Sequence, residues 1–356
     1  MKTKLLLIIS VLVLFSCSKD EYEPTPNPET VGLYVLCEGY FNTNTSDIDY
    51  YDLLEDVLKP KYYSLQNGKT LGDTGNDMAI YGNKLYTVVS GSSSWDGTVV
   101  IEGYIDVIDI GTGKSQKRIK ITDADDNVST PRCIAFHNNK AYITTYSKSV
   151  VRLDTASLTI DNIAELDGTF AEGICYYNNK LYVCNSGQGL GNTISVIDVN
   201  TFKQTDTITV PANPLMIKAT TSGDIYFSTA DLSWSTGDPS NLYMLDVAQK
   251  KATTKFNCRA SKIAVGKDYI YAVDYDWNNS ESNISKIDRR TKAVANISSK
   301  FSNYGNIYGV SVNPLNDDVY LTSQDQDVLV LDKNDNYVLS FKTGANNPSV
   351  VVPVIK

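Results

Sequence analysis

From residue 32 to the C-terminus, short runs of alternating apolar and polar positions recur, broken by Asn, Asp and Gly. Three stretches show the pattern: MAIYGNKLYTVVS, IAFHNNKAYITTY and ICYYNNKLYVCNS. Each sets two runs of period two around a tight Asn/Gly turn, which predicts a β-hairpin. A third run follows and ends in Asp, as IDVID, VVRLD, ISVID, LYMLD, ISKID and VLVLD, with DIDYYD as an earlier copy. A turn and a fourth run come next, such as QTDTITV or YVLSFKT. The terminal aspartates are Asp52, Asp109, Asp154, Asp198, Asp246, Asp288 and Asp332, spaced by 57, 45, 44, 48, 42 and 44 residues. Four strands every ~40–45 residues is the period of a propeller blade. The pattern therefore predicts an all-β, seven-bladed β-propeller with four antiparallel strands per blade.

The first copy, GLYVLCEG, has no inner strand before it, and the C-terminal run NPSVVVPVI is left over. That strand is expected to complete the first blade and to close the ring, which removes an exposed edge. With strands named A to D from the axis outward, the A–B and C–D turns share one face and the B–C and D–A loops the other. The A–B and C–D turns are short and uniform, and carry Lys84, Lys140, Lys180, Lys250, Lys251, Arg289 and Arg290. They read as a solvated structural face. The repeated Tyr of LYV, AYI, IYF, IYA and VYL reads as packing between blades, and the seven aspartates as caps on the backbone amides of the following turn.

The N-terminus changes the picture of where this ring sits. Lys2 and Lys4 precede the apolar run LLLIISVLVLF, too short for a permanent span and fitted to a signal peptide. Ser16 before Cys17 makes it a lipoprotein signal, with Cys17 as the lipidated residue. Acyl chains contribute about 0.8 kcal/mol per buried methylene, so several anchor a protein stably. The expected organisation is a signal peptide over 1–16, a lipidated Cys and flexible tether over 17–31, and a propeller over 32–356. The tether SKDEYEPTPNPET is too charged and Pro-rich to build a core. Its acidic start resembles a surface-export signal, so the expected location is the outer membrane, lipid-anchored and cell-surface exposed.

Composition narrows the chemistry. The net charge of −9 argues against nucleic acid as a partner. Twenty-four Tyr against nine Phe favour wet, amphipathic β surfaces. Five cysteines remain after lipidation, an odd number. Counting outward from the Asn178–Asn179 turn sets Cys175 opposite Tyr182 and Cys184 opposite Gly173. Those two thiols are therefore not a cross-strand disulfide, and most of the cysteines read as core residues. The single histidine, His137, falls in an A–B turn and excludes His-rich metal or haem ligation. No nucleophile elbow, phosphate loop or dinucleotide fingerprint occurs. DADDN at 123–127 lacks the Gly and the terminal Glu of a calcium loop. Asp231 and Asp276 are the candidates for a glycosidase pair. No catalytic or metal residue is assigned, and the chain is read as a binding protein rather than an enzyme.

The B–C loops vary in length, and all three tryptophans, Trp95, Trp234 and Trp277, fall in them, with Tyr40, Phe41, Tyr146 and Tyr275. Arg132, Glu172, Asn213 and Asn347 stand near the starts of inner strands on the same face. Variable loops on a rigid scaffold are where binding lives. The candidate ligand-binding residues are Tyr40, Phe41, Trp95, Arg132, Tyr146, Trp234, Tyr275 and Trp277. Aromatic platforms of this kind contribute about 1–3 kcal/mol per stacked ring. Interleaved with amides and carboxylates, they suit a large, flat, neutral or cationic ligand.

LYVLCEG with DIDYYD, LGDTGNDMAIYGNKLY and YGVSVNPLNDDVYL resemble the YncE-like β-propeller surface lipoproteins of Bacteroidota, and within them the cobalamin-binding BtuG group. The resemblance runs from about Gly32 to the C-terminus. The family's first-blade motif has Asn where this chain has Cys37 and Tyr40, and no contact residue is carried across one by one. The resemblance implies capture of cobalamin at the cell surface and its transfer to a BtuB-type TonB-dependent transporter, with cobalamin as transported ligand and no intrinsic cofactor. The alternatives are capture of a siderophore or haem, and a glycan-binding or glycan-degrading propeller.

Overall fold

The computed structural model describes residues 27–93, 100–231, 239–276 and 281–356. Seven four-stranded antiparallel sheets form the predicted blades. Blade 1 runs, from the axis outward, Pro348–Ile355, Thr30–Cys37, Asp47–Asp52 and Val57–Lys59; blade 2 is Gly75–Tyr81, Lys84–Val89, Tyr104–Asp109 and Ser115–Lys120. Blades 3 to 7 begin with inner strands Pro131–His137, Ala171–Tyr177, Pro214–Ala219, Lys262–Val265 and Ile307–Val312. The C-terminal strand pairs antiparallel with Thr30–Cys37 and completes blade 1, as the leftover run required. Glu29 and Lys356 extend that clasp, each amide bonding the other's carbonyl at 2.8 and 3.0 Å.

The repeated residues do the structural work assigned to them. Each of the seven aspartates accepts backbone N–H groups two to four residues on; Asp154 Oδ1, for example, takes those of Ala156 and Ser157 at 3.0 and 2.8 Å. The strand-B tyrosines Tyr34, Tyr86, Tyr142, Tyr182, Tyr226, Tyr271 and Tyr320 are all buried. Several reach the next blade's C–D turn. Tyr34 donates to the Ile110 carbonyl at 2.9 Å, and Tyr271 to Asp335 at 2.7 Å. Tyr142 packs on Phe202. Burial of a large ring contributes about 1.5–3 kcal/mol, and here it fastens neighbouring blades.

Two features differ from the sequence expectation. A short helix, Tyr62–Asn67, follows the outer strand of blade 1. It buries Tyr63, whose hydroxyl donates to Asp106 at 2.6 Å and accepts from Arg118 at 2.8 Å. This insertion, with the long B–C loop of blade 2, accounts for the widest interval between aspartates. Tyr275 lies inside a strand, not in a loop. Tyr269–Asp276 and Glu281–Asp288 stay paired out to Asp276 and Glu281, with Tyr275 opposite Ser282. Cys175 does pair with Tyr182, and Cys184 faces the bulge made by Glu172 and Gly173. Cys37, Cys133, Cys175 and Cys184 are buried and unbridged. His137 ends an inner strand and stacks on Tyr176, with ring centroids 3.7 Å apart.

Candidate functional site

One local device builds the mouth of the central channel on the B–C loop face. In six of the seven blades the pairing between strands A and B shifts by one residue at the start of strand A. Such bulges re-aim side chains. The residues at the bulges, Asn76, Arg132, Glu172, Leu215, Tyr308 and Ser349, all line the channel. In four blades the residue just before the inner strand is left-handed: Thr74, Phe170, Asn213 and Asn347 have φ of 58°, 52°, 56° and 56°. Asn213 and Asn347 thus serve the backbone, since Asn tolerates that region. Close packing of the inner strands limits what else fits. A Cβ on Gly173 would come within 2.7 Å of the Leu215 carbonyl oxygen.

Two charged clusters sit at the mouth. In the first, Arg132 Nε donates to Glu172 at 2.9 Å and its Nη1 to Ser90 Oγ at 3.2 Å. Its guanidinium lies 4.8 Å from the Tyr146 ring centroid, and the Tyr146 hydroxyl donates to the other Glu172 oxygen at 2.8 Å. Asn76 donates to the Arg132 carbonyl. Burial pulls the Arg132 guanidinium down, but Glu172 and Tyr146 outweigh it and hold it above its ordinary value. In the second cluster, Lys262 Nζ lies 3.4 Å from Glu38 and 4.0 Å from the Tyr308 ring centroid, and Tyr308 donates to Glu38 at 3.1 Å. Burial opposes the Lys262 charge here too, and Tyr308 and Glu38 reverse the effect. Deeper lie Asp77 and Lys218, so three cations face three carboxylates along a channel of about 810 Å³. Its wall is otherwise apolar, with Ile80, Ile263, Val310 and Val354 among the lining residues.

Just after the channel-lining Glu38, Tyr40 and Phe41 are 55% and 65% exposed, in the B–C loop of blade 1. The loop is fixed, not slack. Buried Asp73 accepts the backbone N–H groups of Asn42 and Asn44 at 3.3 and 2.8 Å. Gly39, at φ 75°, supplies the turn; a Cβ there would meet the Ser46 nitrogen at 2.6 Å. Thr43 and Thr45 hold the Tyr40 carbonyl and amide at 2.6 and 3.1 Å.

The structure joins Arg132 and Tyr146 in one cluster and places Tyr40 and Phe41 together in another loop. Tyr275 accepts from Asn306 at 3.0 Å, between blades 6 and 7. Trp95, Trp234, Trp277 and Cys17 lie outside the described residues. Asp231 and Asp276 converge on one guanidinium, Arg259, at 2.8 and 3.4 Å, together with Asp274 at 2.7 Å. Asp123 takes the Asp125 and Asn127 amides of its own turn at 3.0 and 2.9 Å. Glu38, Asp77, Lys218, Lys262 and Tyr308 are site residues the sequence reading did not single out. A signal for part of the set exists: the residue one place into strand A is polar in several blades, as Asn76, Arg132, Glu172, Tyr308 and Ser349.

Fold and site together define a closed seven-bladed propeller whose loop face opens onto a charge-balanced channel mouth. The chain belongs to the family described as a domain of unknown function, DUF5074, which matches residues 31–349. Among solved structures it is similar to one titled hydrazine synthase, from Kuenenia stuttgartiensis, at 17% identity and a TM-score of 0.60, over 76% of this chain and 87% of that one. A likeness at that identity speaks for the fold alone. No curated protein sequence matches the chain.

Proposed function

We propose that this propeller captures a large ligand rich in hydrogen-bonding groups on its B–C loop face, with cobalamin the best chemical match. In this reading it is a YncE-like lipoprotein, anchored at the cell surface through Cys17, that passes its ligand to a BtuB-type TonB-dependent transporter. The observation that carries the proposal is the pair Tyr40 and Phe41, exposed on a loop pinned by Asp73 that leads out from the channel-lining Glu38. Two rings held out in water by a fixed loop cost little ordering when a flat ligand stacks on them. The channel mouth carries its charges in matched pairs, Arg132 with Glu172 and Lys262 with Glu38. That balance suits a corrinoid that is neutral overall and fringed with amides better than a strongly charged ligand.

The test is calorimetric titration of the soluble 18–356 protein with cyanocobalamin. Saturation at one equivalent with sub-micromolar affinity is expected. A Tyr40→Ala/Phe41→Ala variant should weaken binding by about 1–3 kcal/mol per ring while leaving thermal unfolding unchanged. Absence of heat at tens of micromolar ligand overturns cobalamin and directs the same titration to siderophores, haem and oligosaccharides.

A further inference from the structure

One register position on the inner strands separates blade 5 from the rest. The inner-strand residue directly opposite the buried strand-B tyrosine is Val352, Ala79, Ala135, Cys175, Ala264 or Ser311 in six blades. In blade 5 it is Lys218, opposite Tyr226. Ala79, Ala264, Ser311 and Val352 line the channel at this level, and all are short. Lys218 alone brings a long stem and an ammonium group to it.

Lys218 lines the cavity and is half-buried. It has no ion-pair or hydrogen-bond partner among the described residues, whereas the other two channel cations are matched by Glu172 and Glu38. The third carboxylate does not fill the gap. Asp77 accepts the amides of Met78 and Ile134 at 2.9 and 3.0 Å, which ties it to its own wall between blades 2 and 3. Burial raises its pKa, and Lys218 is the foremost charge opposing that rise, so the two groups sense each other without contact. An unpaired ammonium group lining a cavity is attracted to any anion that reaches it. The open volume beside Lys218 is where such an anion fits.

We propose that the central channel is a binding site for a small anion, a carboxylate or a phosphate group, held by the ammonium of Lys218 at the level where the other blades carry small residues. The site lies below the mouth and does not depend on what the loop face binds. A carboxylate on a short apolar body would also use the walls formed by Met216, Ile263 and Val310. A phosphate would use the charge alone.

The experiment is calorimetry of the full-length protein with sodium butyrate and, separately, with inorganic phosphate, at constant ionic strength in a sulfonate buffer. Saturable one-to-one binding of at least one of them is expected in the millimolar range or tighter, and which one binds identifies the anion class. Lys218→Met should weaken it at least tenfold and Lys218→Arg should largely retain it. Asp77→Asn removes the facing negative charge and should tighten it, which keeps the proposal testable if Lys218→Met does not fold. No saturable heat with either anion overturns the proposal. So does affinity that is unchanged in both Lys218→Met and Asp77→Asn.

Discussion

The outer three strands of each blade and its inner strand follow different rules. Outward from the axis the seven copies repeat closely: a buried tyrosine on strand B, an aspartate closing strand C, a short turn, a mostly polar strand D. Along the inner strands the copies diverge. The bulge positions read Asn76, Arg132, Glu172, Leu215, Tyr308 and Ser349, and blade 6 has no bulge there. Repetition accompanies roles that every blade shares, in packing and turn formation. Variation accompanies the surface that only the whole ring creates. A repeat protein can therefore keep its scaffold uniform and place distinct chemistry at the axis, because the residues that face the axis are few and are aimed by local backbone irregularity.

The largest test of that contrast lies in the repeated layer. Tyr86→Ala removes a fully buried ring between blades 2 and 3 and should cost about 4 kcal/mol in chemical denaturation. A loss under one kilocalorie would mean that the repeated tyrosine is not what fastens the blades. The inner layer should respond differently. Glu172→Leu leaves the Arg132 guanidinium without its partner and should cost about 3 kcal/mol, yet the Arg132→Met/Glu172→Leu double variant should recover most of it. Recovery would identify that pair as replaceable by the fold's own criteria, and so as chemistry kept at the mouth for another reason.

The smallest effect is expected from the turn aspartates under acid. Hydrogen bonds from Lys140 hold Asp154 below the usual carboxylate range, the Thr201 amide does so for Asp198, and the Asn336 side chain for Asp332. Because their folded-state values are depressed, the stability they confer is complete above the unfolded value of about 4. It drains away as pH falls below that. Unfolding followed by circular dichroism from neutral to acid should show this loss, shallower in Asp154→Asn. An identical acid profile in that variant would remove Asp154 from the account.

The contrast also explains what could be read from the chain. The blade count, the closing strand and the roles of the tyrosines and aspartates follow from period, alternation and turn chemistry, all local in sequence. The channel mouth is not local. Glu38 meets Lys262 and Tyr308 across 224 and 270 residues, and only ring closure brings them together. Arg132 was visible as a charge at the start of an inner strand; that a bulge turns it toward Glu172 and Tyr146 was not. Tyr275 was misplaced because Asp, Asn and Ser after it read as a loop, while strands B and C of blade 6 stay paired beyond it. The helix at Tyr62–Asn67 was hidden by its length, a turn and a half between two strand signals.

The clasp between Glu29 and Lys356 has a directional consequence. Strand Thr30–Cys37 begins at the turn face and climbs to the loop face, and Pro348–Ile355 descends beside it. Glu29 therefore lies on the side of the disc opposite Tyr40 and Phe41. Both ends of the closing pair thus meet on the face that carries the lysine-bearing turns, while the aromatic loop of blade 1 stands on the other.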